Sequence, residues 1–148
     1  MPHQPLAPKT EYEILAEFRY TLRRFMHFSE SAASKVGLTP QQHQALLAIK
    51  GFPGREKITI GELAERLQIR HHSAVGLADR LEAEKLVARS PGTEDRRKVY
   101  ISLTLHGHST IEKLSALHHE ELLRLSPQLR SLLMRIDQLS RGRDRGRI

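Results

Sequence analysis

Apolar residues recur along this chain at helical spacing for most of its length. From about Glu11, Ile14, Phe18, Leu22 and Phe25 follow one another at steps of four, four and three, which predicts an amphipathic helix, with Arg19, Arg23 and Arg24 on its other faces. Thr39-Pro40-Gln41-Gln42 announces a second helix: Thr39 suits the N-cap, Pro40 the first helical position, and Gln42 completes a capping box. Ala45, Leu46 and Ile49 give that helix its stripe, and Gly51-Phe52-Pro53-Gly54 ends it. A further capping box at Thr59-Ile60-Gly61-Glu62 opens a helix with Ile60, Leu63, Ala64 and Leu67 on one face. After a break near Gln68 to Arg70 the stripe resumes with Ala74, Leu77, Ala78 and Leu81. Two short amphipathic helices separated by a few residues form a helix-turn-helix candidate.

The period then changes. A short strand near Val87 to Arg89, a turn holding five charged residues behind Pro91-Gly92, and a strand from Lys98 to Leu103 predict a hairpin. Thr104 is placed to cap a long helix carrying Ile111, Leu114, Leu117, Leu122 and Leu125. Ser126-Pro127 reads as the start of a last helix with Leu129, Leu132, Leu133, Ile136 and Leu139. The expected fold is mostly α with a small β-hairpin wing. A winged helix-turn-helix spans 37–107, a flexible arm covers 1–10, and a basic tail covers 141–148; the helices of 11–36 and 108–140 carry more apolar surface than a small winged helix can cover, so they are read as a helical dimerisation lobe.

Charge adds direction. The 148 residues hold 24 Lys and Arg against 17 Asp and Glu, a net +7 and a pI near 10.1, which suggests a polyanionic partner, nucleic acid first. Position matters more than the total, because the region from 60 to 107 is almost balanced. Acids are missing from Arg70-His71-His72-Ser73, the start of the second helix of the pair, where the helix dipole adds partial positive charge. That end can meet base edges in a major groove. The hairpin tip, with Arg96, Arg97 and Lys98 in a row, can reach the adjacent minor groove, where arginine inserts well. Asp95 reads as an intraloop partner holding Arg97 in one rotamer.

The run "ITIGELAERLQIRHHSAVGLADRLEAEKLVARSPGTEDRRKVYISLTLHG" resembles the MarR family of bacterial winged helix-turn-helix transcriptional regulators. The resemblance rests on Leu-Ala-Glu-Arg-Leu, Asp-Arg-Leu-Glu, Lys85-Leu86-Val87, Asp95-Arg96-Arg97 and Leu103-Thr104-x-x-Gly107, and it extends upstream to "LTPQQHQALLAI". It implies a homodimer in which each subunit offers one winged helix to half of a palindrome in double-stranded DNA. It places His71, His72, Ser73 and Gly76 toward the major groove, Arg80 near phosphate, and Arg97 in the minor groove with Asp95 bracing it. Arg70, Arg96 and Lys98 complete the expected DNA-binding set. Val75, Gly76 and the His71-His72 pair depart from the family's usual residues, so base preference is not carried over. Gly76, which costs roughly 1 kcal/mol relative to alanine mid-helix, serves either a close approach to DNA or packing against a neighbouring helix, with packing preferred. The resemblance also implies a pocket for a small aromatic or phenolic effector, with Arg19, Arg23, His27 and His43 as candidate lining residues; surface or interface roles for the four are an equal reading.

Other classes are weaker. With no cysteine, thiolate zinc sites, disulfides and thiol redox sensing are excluded. The nine histidines include His106-x-His108 and His118-His119-Glu120-Glu121, but adjacent histidines on a helix point about 100° apart, and solvated or interfacial histidine is the better reading; no metal or cofactor is expected. No serine or threonine stands in a nucleophile motif and no glycine loop cradles phosphate, so no enzyme is expected. No apolar run spans a bilayer and no signal-peptide core opens the chain, so a cytoplasmic protein is expected. The alternatives are a winged-helix module that binds protein instead of DNA, and a metal-responsive regulator.

Overall fold

The computed structural model describes residues 8–145. Five helices and three strands follow one another: α1 (Lys9–Lys35), α2 (Pro40–Lys50), β1 (Lys57–Thr59), α3 (Ile60–Leu67), α4 (His71–Ala83), β2 (Val87–Pro91), β3 (Val99–Leu103) and α5 (Leu105–Arg145). The strands form one antiparallel sheet in the order β1-β3-β2. The fold is the mostly helical winged helix expected from the sequence, with two compact units. One is residues 30–117; the other combines α1 up to Ser29 with α5 from His118.

Local chemistry sets the starts of α2 and α3. Thr39 accepts from Gln42 N at 3.1 Å while Gln42 returns the bond to Thr39 N at 3.0 Å. Thr59 and Glu62 repeat the exchange at 3.2 and 3.0 Å, so both predicted capping boxes are made. Gln68 then turns the chain in the left-handed region (φ 54°), where its N–H reaches Glu65 O and that of Ile69 reaches Ala64 O. That closes α3 and releases the chain toward α4.

The core of residues 30–117 centres on Leu46, Ile49, Ile58, Leu63, Leu77, Leu81 and Ile101, with Ala33 from the end of α1 and Ile111 and Leu114 from α5. Those last three lie outside the 37–107 expected for the winged helix. Strand β1 is an addition to the sequence reading: Ile58 pairs with Ile101 in the sheet, and Thr59 is both its last residue and the cap of α3.

The Leu103-Thr104-x-x-Gly107 motif has a clear physical reason. Thr104 Oγ1 donates to Lys85 O at 2.6 Å and accepts from Gly107 N at 3.1 Å. A Cβ on Gly107 would collide with Leu86 O, so only glycine lets the helix start so close to that backbone.

Three sequence expectations change at the chain's ends. Lys9 and Thr10 are already helical, and Arg141 to Arg145 continue α5; the rest of the expected arm, residues 1–7, and of the expected tail, 146–148, lie outside the described residues. The predicted break at Ser126-Pro127 does not occur, and Pro127 stands inside α5. Proline there removes one i→i−4 bond, a cost of about 3 kcal/mol. What carries the helix past it is an unbroken stripe: His118, Glu121, Leu125 and Leu132 are all buried, at steps of three, four and seven. In the same unit His118 meets Phe25 and Phe28 edge-on at 6.0 and 5.5 Å between ring centroids and bonds Ser29 Oγ at 2.8 Å.

Candidate nucleic-acid interface

Helix α4 begins differently from α2 and α3. Its N-cap, Arg70, is extended and makes no side-chain cap bond, so the first-turn N–H groups are not consumed from that side. Arg70, His71, His72 and Ser73 are all exposed there, while Ala74, Leu77, Ala78 and Leu81 anchor the opposite face in the core. Arg80 is exposed one turn beyond half-exposed Gly76.

Gly76 corrects the sequence preference for packing. A Cβ there would meet only Arg80 Nη1, at 3.5 Å, which is ordinary contact. No neighbouring helix requires the missing side chain.

The wing is tied to α4. Arg89 on β2 donates to Asp79 at 2.7 Å and to Glu82 at 2.9 Å. The bond to Asp79, then that to Glu82, raises the Arg89 guanidinium above its ordinary value in spite of burial. Two acids that would repel a polyanion are thereby neutralised locally.

At the tip, a Cβ on Gly92 would collide with Asp95 O, which explains the Pro-Gly of the turn: the loop folds back over a residue with no side chain. Asp95 then accepts from Arg97 three times, from the backbone N at 3.0 Å, Nε at 3.2 Å and Nη2 at 3.4 Å. The side-chain bond from Arg97, then its backbone bond, hold the Asp95 carboxyl below the ordinary carboxylate range. The intraloop pair expected from sequence is made, and it leaves the Arg97 side chain 92% exposed. Arg96 and Lys98 are exposed beside it.

Between the wing and the starts of α3 and α4 lies a cleft of about 600 Å³, lined among others by Arg55, Glu62, His71, Arg97, Lys98 and Tyr100. Sequence reasoning missed Arg55 and Tyr100. The Arg55 guanidinium lies 4.5 Å from the Phe52 ring centroid and 5.6 Å from that of Tyr100, and it pairs with Glu62. Lys57 Nζ stands 4.7 Å over Tyr100. Burial pushes the Glu62 carboxyl up, but the bonds from Thr59 and Arg55 outweigh it and hold the group below the ordinary range. The available signal was the basic pair Arg55 and Lys57 in the segment leading into α3, which periodicity does not read.

The candidate effector residues do not form one described constellation. Arg19, Arg23 and His27 are exposed on α1 in the unit that ends at Ser29, and His43 is buried on α2 in the unit of residues 30–117. Among the described residues no group of three or more His, Asp or Glu gathers to hold a metal ion, and no helix is long and apolar enough to cross a membrane.

Comparison with known proteins bears on the fold. Residues 36–98 match the model of the MarR family. The HTH-type transcriptional repressor MdtR of Bacillus subtilis (strain 168) is 35% identical over 82 residues, 55% of this chain and 51% of MdtR, so the match spans about half the length of that relative. AbsC, a MarR family transcriptional regulator from Streptomyces coelicolor, shares the fold over 94% of this chain and 99% of its own, with a TM-score of 0.71 at 22% identity. A mutant MarR from E. coli, complexed with operator DNA, covers 80% of this chain and 89% of its own, with a TM-score of 0.62 at 23% identity. Through its helix-turn-helix and wing, residues 36–98, the chain resembles the MarR family, and it shares the fold of solved structures of that family's regulators.

Proposed function

We propose that this chain is a homodimeric, sequence-specific regulator that binds double-stranded DNA, and that it represses by occupying a palindromic operator until a small aromatic or phenolic effector lowers its affinity. The observation that carries the DNA reading is the pairing, on one compact unit, of an uncapped and exposed α4 start with an exposed arginine braced at the wing tip. In this reading His71, His72, Ser73 and Gly76 face base edges in the major groove, Arg70 and Arg80 meet phosphate, and Arg97 enters the minor groove with Arg96 and Lys98 beside it. The complex of the mutant E. coli MarR with operator DNA supports this use of the same fold.

The dimer is supported by what the other unit leaves uncovered. Leu15 and Tyr20 on α1, and Leu123, Leu133 and Met134 on α5, are each more than half exposed. Apolar helix faces of this extent at chain ends are commonly closed by a second copy around a twofold axis. Effector control then works by geometry: a palindrome reads the spacing of two recognition helices near one turn, about 34 Å, so a small change in that spacing costs affinity.

Selection of random duplexes by the purified protein tests the reading. An enriched palindrome with half-sites about one helical turn apart is the expected result. No enrichment by a folded dimer would favour the protein-interaction alternative. On the selected duplex, Arg97→Ala should weaken binding at least tenfold and leave the melting temperature unchanged; equal affinity for parent and variant would remove Arg97 from the interface.

A further inference from the structure

The two grooves of a duplex are separated by a single sugar-phosphate strand. With the α4 start in the major groove and Arg97 in the adjacent minor groove, that strand crosses the protein between His71 and Arg97. Both residues line the 600 Å³ cleft described above, so on the DNA reading, on which this inference rests, the cleft is where the strand passes.

The cleft is built for an anion. It sets three cations, Arg55, Arg97 and Lys98, against one carboxylate, Glu62. That carboxylate is already engaged on both oxygens, one accepting from Thr59 N and the other paired with Arg55. Arg55 is held before any ligand arrives. Two aromatic rings flank its guanidinium, and its side chain is 32% exposed. Its hydrogen bond to Glu62 uses one of the five N–H donors a guanidinium offers. A cation fixed in this way loses little further entropy on binding. Lys98, from the wing, lines the same cleft with an exposed side chain.

We propose that this cleft seats a backbone phosphate of the bound duplex, and that Arg55 and Lys98 are its ligands. Such a contact carries no base information. It adds affinity equally to every sequence and fixes the register in which α4 and the wing meet their grooves.

The test compares parent, Arg55→Ala, Arg55→Lys and Lys98→Ala by fluorescence anisotropy on the selected operator and on a scrambled duplex of equal length, from about 50 to 200 mM salt. Arg55→Ala and Lys98→Ala should each reduce the slope of log affinity against log salt, and the double variant should reduce it by about 1 per half-site. Each should weaken both duplexes by the same factor, and Arg55→Lys should keep the parent slope. An unchanged slope in Arg55→Ala, with or without lost affinity, overturns the seat, because a residue acting only through Glu62 and the α3 cap would not alter the count of neutralised phosphates. Lys98→Ala decides the matter if Arg55→Ala melts early. A parent that binds both duplexes steeply while the variants match it would refute the seat and leave the DNA reading standing. A parent that fails to bind duplex at low salt refutes both. Saturation of the cleft by inorganic phosphate at sub-millimolar concentration without DNA, seen in the Arg55 side-chain resonances, would make it a small-anion site and also overturn the proposal.

Discussion

Residues 30–117 enclose large side chains such as Leu46, Ile58, Leu81 and Ile101 almost completely, whereas the unit made from α1 up to Ser29 and α5 from His118 leaves Leu15, Leu123, Leu133 and Met134 more than half exposed. The first has a sheet, three capped or closely packed helices and a core drawn from every element. The second has two helices and a narrow buried stripe centred on His118, Leu125 and Leu132. Burial of apolar area is the main favourable term in folding, at about 25 cal/mol per Å². The first unit therefore holds within itself what stabilises it, and the second leaves much of that term unrealised until something covers it. On the proposed function, the self-sufficient unit is the one that meets DNA, and the unit with uncovered apolar faces is the one that meets a second copy.

The largest expected effect comes from breaking the self-sufficient unit at its tightest point. Gly107→Ala should destabilise by about 3 kcal/mol, because the new methyl meets the Leu86 carbonyl rather than a movable side chain. Calorimetry should show a melting temperature lower by on the order of 10 °C; an unchanged transition would mean that α5 can start elsewhere. The next probe addresses the other unit. Leu133→Glu places a charge on a residue already 60% exposed, so a monomer should tolerate it within about 0.5 kcal/mol. A dimer closed over that face should dissociate at least roughly 100-fold more readily, since a buried unpaired charge costs several kcal/mol. Sedimentation equilibrium over a concentration series separates the two, and equal dissociation constants would place the dimer contact elsewhere.

A smaller effect sharpens the division of labour inside residues 30–117. Gly76→Ala should stabilise by roughly 1 kcal/mol, since only the Arg80 guanidinium lies near the added methyl, yet it should weaken operator binding. A variant that is both more stable and equally tight would show that Gly76 has no role in close approach. The smallest effect is confined to the wing tip. The Asp95 carboxyl titrates below its ordinary value, near 3.8, so the order it gives the tip is complete above that value and is lost as pH falls through the lowered one. Amide exchange at Arg97 should rise over that acid range in the parent and be fast at every pH in Asp95→Asn if the charge, rather than the loop's shape, holds the bond.

Much of this was legible because it is local. Capping boxes at Thr39 and Thr59, the stripes of α3 and α4 and the Asp95–Arg97 pair involve residues at most a few positions apart, so spacing alone exposes them. The misses have a common cause in tertiary contact. Strand β1 is three residues long and exists through its pairing with β3, more than forty positions away. Pro127 reads as a boundary by its own chemistry, and only the burial of residues on either side overrides that. Arg55 and Tyr100 are brought together by the sheet, and nothing in the neighbourhood of either announces the other. For Gly76 the sequence shows that a side chain is missing but does not show which neighbour, if any, benefits.

The exposed start of α4 has a further consequence, for how such a protein changes over generations. Arg70, His71, His72 and Ser73 project from a helix whose other face alone is anchored in the core. Substitutions at exposed positions of this kind usually shift stability by no more than about 0.5 kcal/mol. The residues that would choose a target are thus nearly free of any duty to the fold. A duplicated copy of this chain could drift to a new address in the genome by exchanging those few side chains, one at a time, and remain a folded protein at every step.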